Sequence, residues 1–192
     1  MINLHDFFTS IPLSEEEQKV LQEYADAMEL LSSKHLNMEF NNKDQKHAAL
    51  VMSSIFHNAK KQVRIFTGSL NGDISNISGY LQSVRVFLDK PETKVEVIFE
   101  EKPNIAFSKC YKLLKESRAA GKDITFRILT DSFKQKVITA NLNHFMLGDD
   151  NMFRYETDKK QYMAFCNFDD PEMTKVLDRN FRAMFINSTP LD

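Results

Sequence analysis

Residues 143–150 read NHFMLGDD, and the fold turns on how this stretch is read. A short apolar run, Phe145-Met146-Leu147-Gly148, is bounded by His144 on one side and by Asp149-Asp150 on the other. Such a run fits a buried strand, and the acids that follow are turn chemistry. Imidazole next to carboxylates is also the raw material of a proton-transfer site. Strand and active site are therefore both on the table, and the rest of the chain has to choose between them.

Upstream, residues 63–67 (VRIFT) read as a strand and 69–72 as a turn. Residues 77–88 read as a helix stopped near Pro91. Residues 94–99 (KVEVIF) alternate as a strand does, and 106–120 form a helix ending at Gly121, the residue best suited to a left-handed cap. Residues 124–129 are a third strand. This order predicts right-handed crossovers and a largely parallel sheet. Beyond it, short strands are expected at 137–140, 144–148, 152–156 and 161–168, with a hairpin turn at Thr157-Asp158-Lys159-Lys160. A last helix starts near Pro171, a good first-turn residue. It carries Met173, Val176, Leu177, Phe181 and Phe185.

The N-terminal part is helical. Ser14 and Glu17 have the spacing of a capping box, and Val20, Leu21, Tyr24, Ala25, Met28 and Leu31 recur at helical spacing. A polar break at 41–44 precedes a second helix with Ala48, Val51, Met52, Ile55 and Phe56 on one face. Residues 1–60 are read as an N-terminal helical extension and 61–192 as an α/β domain. The extension either covers a face of the sheet or offers a docking surface, and periodicity does not separate the two.

The 192 residues suit one domain with a real core. Sixteen Phe and nine Met against no Trp predict an interior filled by Phe and Met. A net charge of −2 supplies no overall attraction to phosphate backbones, so charge does not favour nucleic acid as a partner. Cys110 and Cys166 lack metal-ligand spacing and read as free thiols in a reducing, cytoplasmic setting. No apolar run approaches a membrane span, and neither a metal nor a cofactor is implied.

The order of elements, ending in FMLGDD and then CNFDDP before a helix, resembles the phospholipase D superfamily over roughly residues 48–187. The resemblance implies a mixed sheet flanked by helices. Members carry H-x-K-x4-D followed by a strand with G-S-x-N. In that family the histidine attacks phosphorus, and a second histidine protonates the leaving oxygen. Lysine and asparagine neutralise the phosphate charge. Two registers are open here. One places Leu142 at the histidine position, His144 at the lysine position and Asp149 on the aspartate. The other places His144 on the histidine, Met146 on the lysine and Asn151 on the aspartate. Neither rebuilds the triad. Residues 164–167 stand in for G-S-x-N, with Asn167 as the one match.

The expectation is a catalytically degenerate phospholipase D-like protein that binds or regulates through protein contacts, as a dimer or a subunit of a complex. The alternatives are a divergent nuclease or phosphodiesterase using His144, Asp149 and Asn167 across a homodimer, and a nucleic-acid-binding module without turnover. Ser69, Asn71, Asn143, Arg154 and Glu156 are the candidates to line the cleft. The turn at 68–72 follows a strand and precedes a helix, so its amides suit an anion, but it is not G-x-G-x-x-G and a plain connection is the stronger reading. Arg154 and Glu156 alternate with Phe153 and Tyr155, as in a half-exposed strand, and are spaced to pair with each other. Lys159 and Lys160 suit a solvated hairpin tip.

Overall fold

The computed structural model describes residues 3–9, 11–158 and 160–192; Lys159, half of the expected hairpin tip, lies outside the described residues. The chain begins with α1 (Leu4–Phe7) and α2 (Glu15–Ser33). At the start of α2 both halves of the capping box form, with Glu17 N–H donating to Ser14 Oγ at 3.2 Å and Ser14 N–H donating to Glu17 Oε2 at 2.9 Å. The polar break then contains a strand, β1 (Phe40–Asn42), before α3 (Gln45–Asn58).

The crossover part follows as expected: β2 (Gln62–Thr67), α4 (Ser78–Asp89), β3 (Lys94–Phe99), α5 (Lys109–Ala119) and β4 (Asp123–Leu129). β2 and β3 pair in parallel, as do β3 and β4. Gly121 takes the left-handed conformation at φ 93° just beyond α5. One expected strand is a helix instead: residues 137–139 lie in α6 (Asp131–Thr139). The run Val137-Ile138-Thr139 is β-branched and suggested a strand. Phe133 and Val137, four residues apart, pack on the core while Ile138 stays exposed, which is helical periodicity.

The chain finishes with β5 (Phe145–Gly148), β6 (Met152–Asp158), β7 (Met163–Asn167), α7 (Pro171–Ile186) and β8 (Ser188–Pro190). The eight strands make one mixed sheet in the order β1-β7-β6-β5-β2-β3-β4-β8. β1 and α3, both N-terminal to residue 60, thus belong to this sheet and its cover. Among the described residues no helix is long and apolar enough to cross a membrane.

Strand alternation sorts the interior onto two faces. Ile65, Val97 and Met146 join α2–α5 in one core, while Phe66, Ile98, Phe145 and Leu147 join α6 and α7 in the other. The first core is rich in Phe, with Phe56 set edge-on to Tyr80 and Phe87 at ring separations of 5.8 and 5.6 Å. α3 lies close on the sheet because Gly148 carries no side chain; a Cβ there would stand 2.6 Å from Ile55 Cγ2. α7 is held by charge as well as by Leu177 and Phe181. Arg64, 2% exposed on β2, pairs with Asp178, and Arg182 Nη1 reaches Glu96 Oε2 on β3 at 2.8 Å.

Candidate functional site

β2 has β3 on one side and β5 on the other, and the chain leaves it toward β3. In open α/β sheets the crevice beyond the carboxyl end of such a strand is where ligands are bound. A cavity of about 250 Å³ opens there, between the end of β2, the start of β5 and the following segment 68–75. Ser69, Asn71, His144, Arg154 and Glu156 all line it, so the fold gathers five of the sequence candidates around one space.

His144 stands just before β5, with its ring edge-on to Phe66 at 5.4 Å. Glu156 on β6 lies directly across, donating its backbone N–H to the His144 carbonyl at 2.9 Å. The side chains meet too. His144 Nδ1 is 3.1 Å from Glu156 Oε2, and Nε2 is 2.8 Å from Glu100 Oε2. A neutral imidazole has one N–H and one lone pair, whereas both carboxylates accept a hydrogen bond only from the doubly protonated ring. In that form His144 has no lone pair with which to attack phosphorus.

Arg154 completes the cluster. Its Nη1 donates to Glu156 Oε1, its Nη2 to the Tyr162 carbonyl and its Nε to Asn42 Oδ1, each at 3.0 Å. The expected ion pair is therefore present, and it is only 3% exposed at Arg154. Burial alone raises the Glu156 carboxyl, but the hydrogen bond from His144 and the charge of Arg154 outweigh it and hold the group below its ordinary range. Cys166 and Cys110, both buried, have their thiols pushed up to about 12 by that burial and are poor nucleophiles.

The remaining candidates sit elsewhere. Asp149 is at the opposite end of β5 from His144, at φ 47°. Its carboxylate accepts the backbone N–H groups of Lys60, Lys61 and Gln62 at 2.7–2.9 Å. Asn167, 2% exposed, is paired across from Phe153 and donates its Nδ2 to Asn37 Oδ1 at 2.8 Å. Asn143 donates its backbone N–H to the Tyr155 hydroxyl at 3.2 Å. The strand that follows the histidine strand is β6, and β7 comes one hairpin later. Glu156 is thus the residue across from His144, and Arg154 lies across from Met146.

Three site residues had no sequence signal. Asn42 sat in what read as a polar break, yet it is 1% exposed and braces Arg154. Glu100 is simply the residue after β3. Tyr162 lines the cavity in a left-handed conformation, φ 57°, which no sequence pattern announces for a tyrosine. Asn71 N–H lies 3.4 Å from Ser69 Oγ, and Asn71 Oδ1 accepts Asn104 N–H at 3.0 Å. Among the described residues no cluster of three His, Cys, Asp or Glu is placed to hold a metal ion.

No family model matches the chain, and no curated protein is similar to it in sequence. Solved structures do resemble it. TrmBL2, an archaeal chromatin protein described as showing a novel mode of DNA binding, superposes with a TM-score of 0.57 at 13% identity. The match covers 92% of this chain and 63% of TrmBL2, so the chain spans less than two thirds of that protein. Nuc from Salmonella typhimurium, a phospholipase D family member, gives 0.53 at 11% identity over 80% of this chain and 99% of Nuc. NucT from Helicobacter pylori gives 0.51 at 16% identity over 80% of this chain and all of NucT, 100%. At such identities the likeness is one of fold, and the eight-stranded mixed sheet flanked by helices is the phospholipase D-like fold.

Proposed function

We propose that this chain is a phospholipase D-like domain that binds without cleaving, and that it acts through protein contacts as a dimer or as a subunit of a complex. The observation that carries this reading is the double carboxylate grip on His144, which commits both ring nitrogens. Cleavage by a histidine nucleophile needs an imidazole nitrogen with its lone pair and positive charge around the phosphate. Here Glu156 and Glu100 bring negative charge to the same ring, and Arg154 is spent on Glu156. Several large apolar side chains stay at the surface among the described residues, Phe107 at 64% and Ile186 at 79% exposure among them.

The test is a hydrolysis assay on DNA, RNA and bis(p-nitrophenyl) phosphate, beside light scattering for the oligomeric state. The expected result is no turnover above buffer and a particle larger than one chain. Turnover that disappears in a folded His144→Ala variant overturns the reading in favour of a phosphodiesterase. A second reading, nucleic-acid binding without turnover, is favoured by the fold shared with TrmBL2, a protein described as binding DNA. It requires binding to duplex DNA that weakens steeply with salt.

A further inference from the structure

The four helices α2 to α5 on one face of the sheet divide charge unevenly. α2 carries six acids against one lysine, whereas α5 carries Lys109, Lys112, Lys115 and Arg118 against the single acid Glu116. α2 touches α3, α3 touches α4 and α4 touches α5, which sets the acidic helix at one end of the row and the basic helix at the other. Each intervening helix is about 10 Å across, so more than a Debye length separates the two sets of charge within one chain. Few of these charges are spent locally. Glu17 pairs with Lys46, and Lys112 lies 3.8 Å from Glu116. Glu16 and Glu23 on α2, and Lys109 and Lys115 on α5, form no ion pair among the described residues.

Both flanks also mix in apolar side chains. Glu16, Val20, Glu23, Ala27 and Leu30 follow the alternating four- and three-residue spacing of one outer stripe of α2, and all are exposed. On the other flank, exposed Ile105 and Phe107 lead directly into α5 and its Lys109. An interface is built this way, with an apolar centre that supplies burial and charges around it that supply orientation. We propose that α2 of one copy docks on α5 of the next, so that copies of this chain associate head to tail. The acidic stripe then faces the basic helix, and Val20 and Leu30 meet Ile105 and Phe107. A two-fold contact of α2 with α2, or of α5 with α5, sets like charges against each other and is disfavoured. Nucleic acid is the other partner that a basic helix invites. It leaves the acidic stripe unused and meets a chain of net charge −2. The inference rests on the reading that this chain acts through protein contacts, and it names a second copy as the partner.

Light scattering of the full chain at rising concentration, in about 50 mM and about 500 mM salt, tests it. The average mass is expected to climb above the 22.3 kDa of one chain with concentration, and to fall back toward it in the higher salt. Glu16→Lys with Glu23→Lys, and separately Lys109→Glu with Lys112→Glu, set like charges at the contact. Each pair is expected to weaken association at least about tenfold with Tm little changed. All four substitutions in one chain exchange the signs of the two flanks and are expected to restore association, which a variant that merely misfolds does not do. The proposal is overturned by a chain that stays monomeric, by a reversed pair that associates as well as the parent, or by a fourfold variant that does not recover. A monomer that binds duplex DNA through Lys109 and Lys112 assigns the basic flank to nucleic acid instead. A dimer of fixed mass, indifferent to salt, removes this inference while the broader reading of protein contacts stands.

Discussion

Glu156 Oε2 lies 3.1 Å from His144 Nδ1, while Oε1 of the same carboxylate lies 3.0 Å from Arg154 Nη1, so a single acid joins the histidine to the arginine. Its folded pKa is depressed below the ordinary value of 4.5. A depressed acid contributes stability that is present above its unfolded pKa and lost as pH falls through the folded one. Glu156→Gln is therefore expected to lose about 2 kcal/mol of unfolding free energy at pH 7. The gap to the parent chain should close progressively as pH drops below about 4.5. Urea melts at a series of pH values measure it, and a gap that widens as pH falls below 4.5 would contradict the assignment.

Asp149 has a structural task that its place in the NHFMLGDD stretch conceals. Three backbone N–H groups of residues 60–62 end on its carboxylate, and Arg64 donates to its carbonyl. Asp149→Ala leaves those donors without their acceptor and also sets alanine at a left-handed φ of 47°. A loss of about 3 kcal/mol is expected in chemical denaturation. Asp149→Asn, which tolerates the backbone and keeps one acceptor oxygen, should lose visibly less.

Arg64 predicts how α7 is held. Its side chain is 2% exposed and pairs with Asp178. Removing one partner of a fully buried pair costs about 3–5 kcal/mol, and because Asp178 is 31% exposed and also faces Arg182 at 3.4 Å the loss here is expected toward the lower end of that range. Arg64→Met should destabilise the chain strongly and raise amide exchange in residues 171–186. Adding Asp178→Leu to Arg64→Met should restore part of the loss, and a double that is worse than the single would exclude this account.

Gly79 predicts the opposite kind of change, a local one. A Cβ at this helical position would lie 2.0 Å from Phe7 Cδ2, inside the ring's own volume. Gly79→Ala gains helix propensity of about 1 kcal/mol in α4 yet must expel Phe7. The expected outcome is an N-terminal segment released to proteolysis with the sheet intact, seen as trimming ahead of α2 and an otherwise unchanged exchange pattern.

Residues whose surroundings are local could be read from the sequence. The capping box at Ser14 and Glu17 and the left-handed Gly121 announce themselves within a few positions, and both stand as read. So does the strand 145–148, because its apolar run is flanked by turn residues. Val137-Ile138-Thr139 was misread because β-branching is a weaker guide than which side chains find a core. β1 stayed hidden for a related reason. Asn41 and Asn42 look solvated, and only the distant Arg154, 112 positions from Asn42, makes a buried asparagine there sensible. The site itself was half legible. Alternation around Arg154 and Glu156 implied their pairing, but Glu100 reaches His144 across 44 positions through the fold alone.

The last strand has a consequence for solubility. β8 contributes three residues, Ser188–Pro190, against Arg127, Ile128 and Leu129 of β4, and Arg127 fixes it by donating Nε to Ser188 Oγ at 2.8 Å. Proline lacks a backbone N–H, so the outer side of this strip offers little to a further strand. Stripped of β8, the seven-residue β4 would present a row of open N–H and C=O groups, the usual template for fibrous stacking. A few residues thus act as a seal against polymerisation, and shortening the chain to Ile186 should turn a clear solution turbid long before it unfolds the domain.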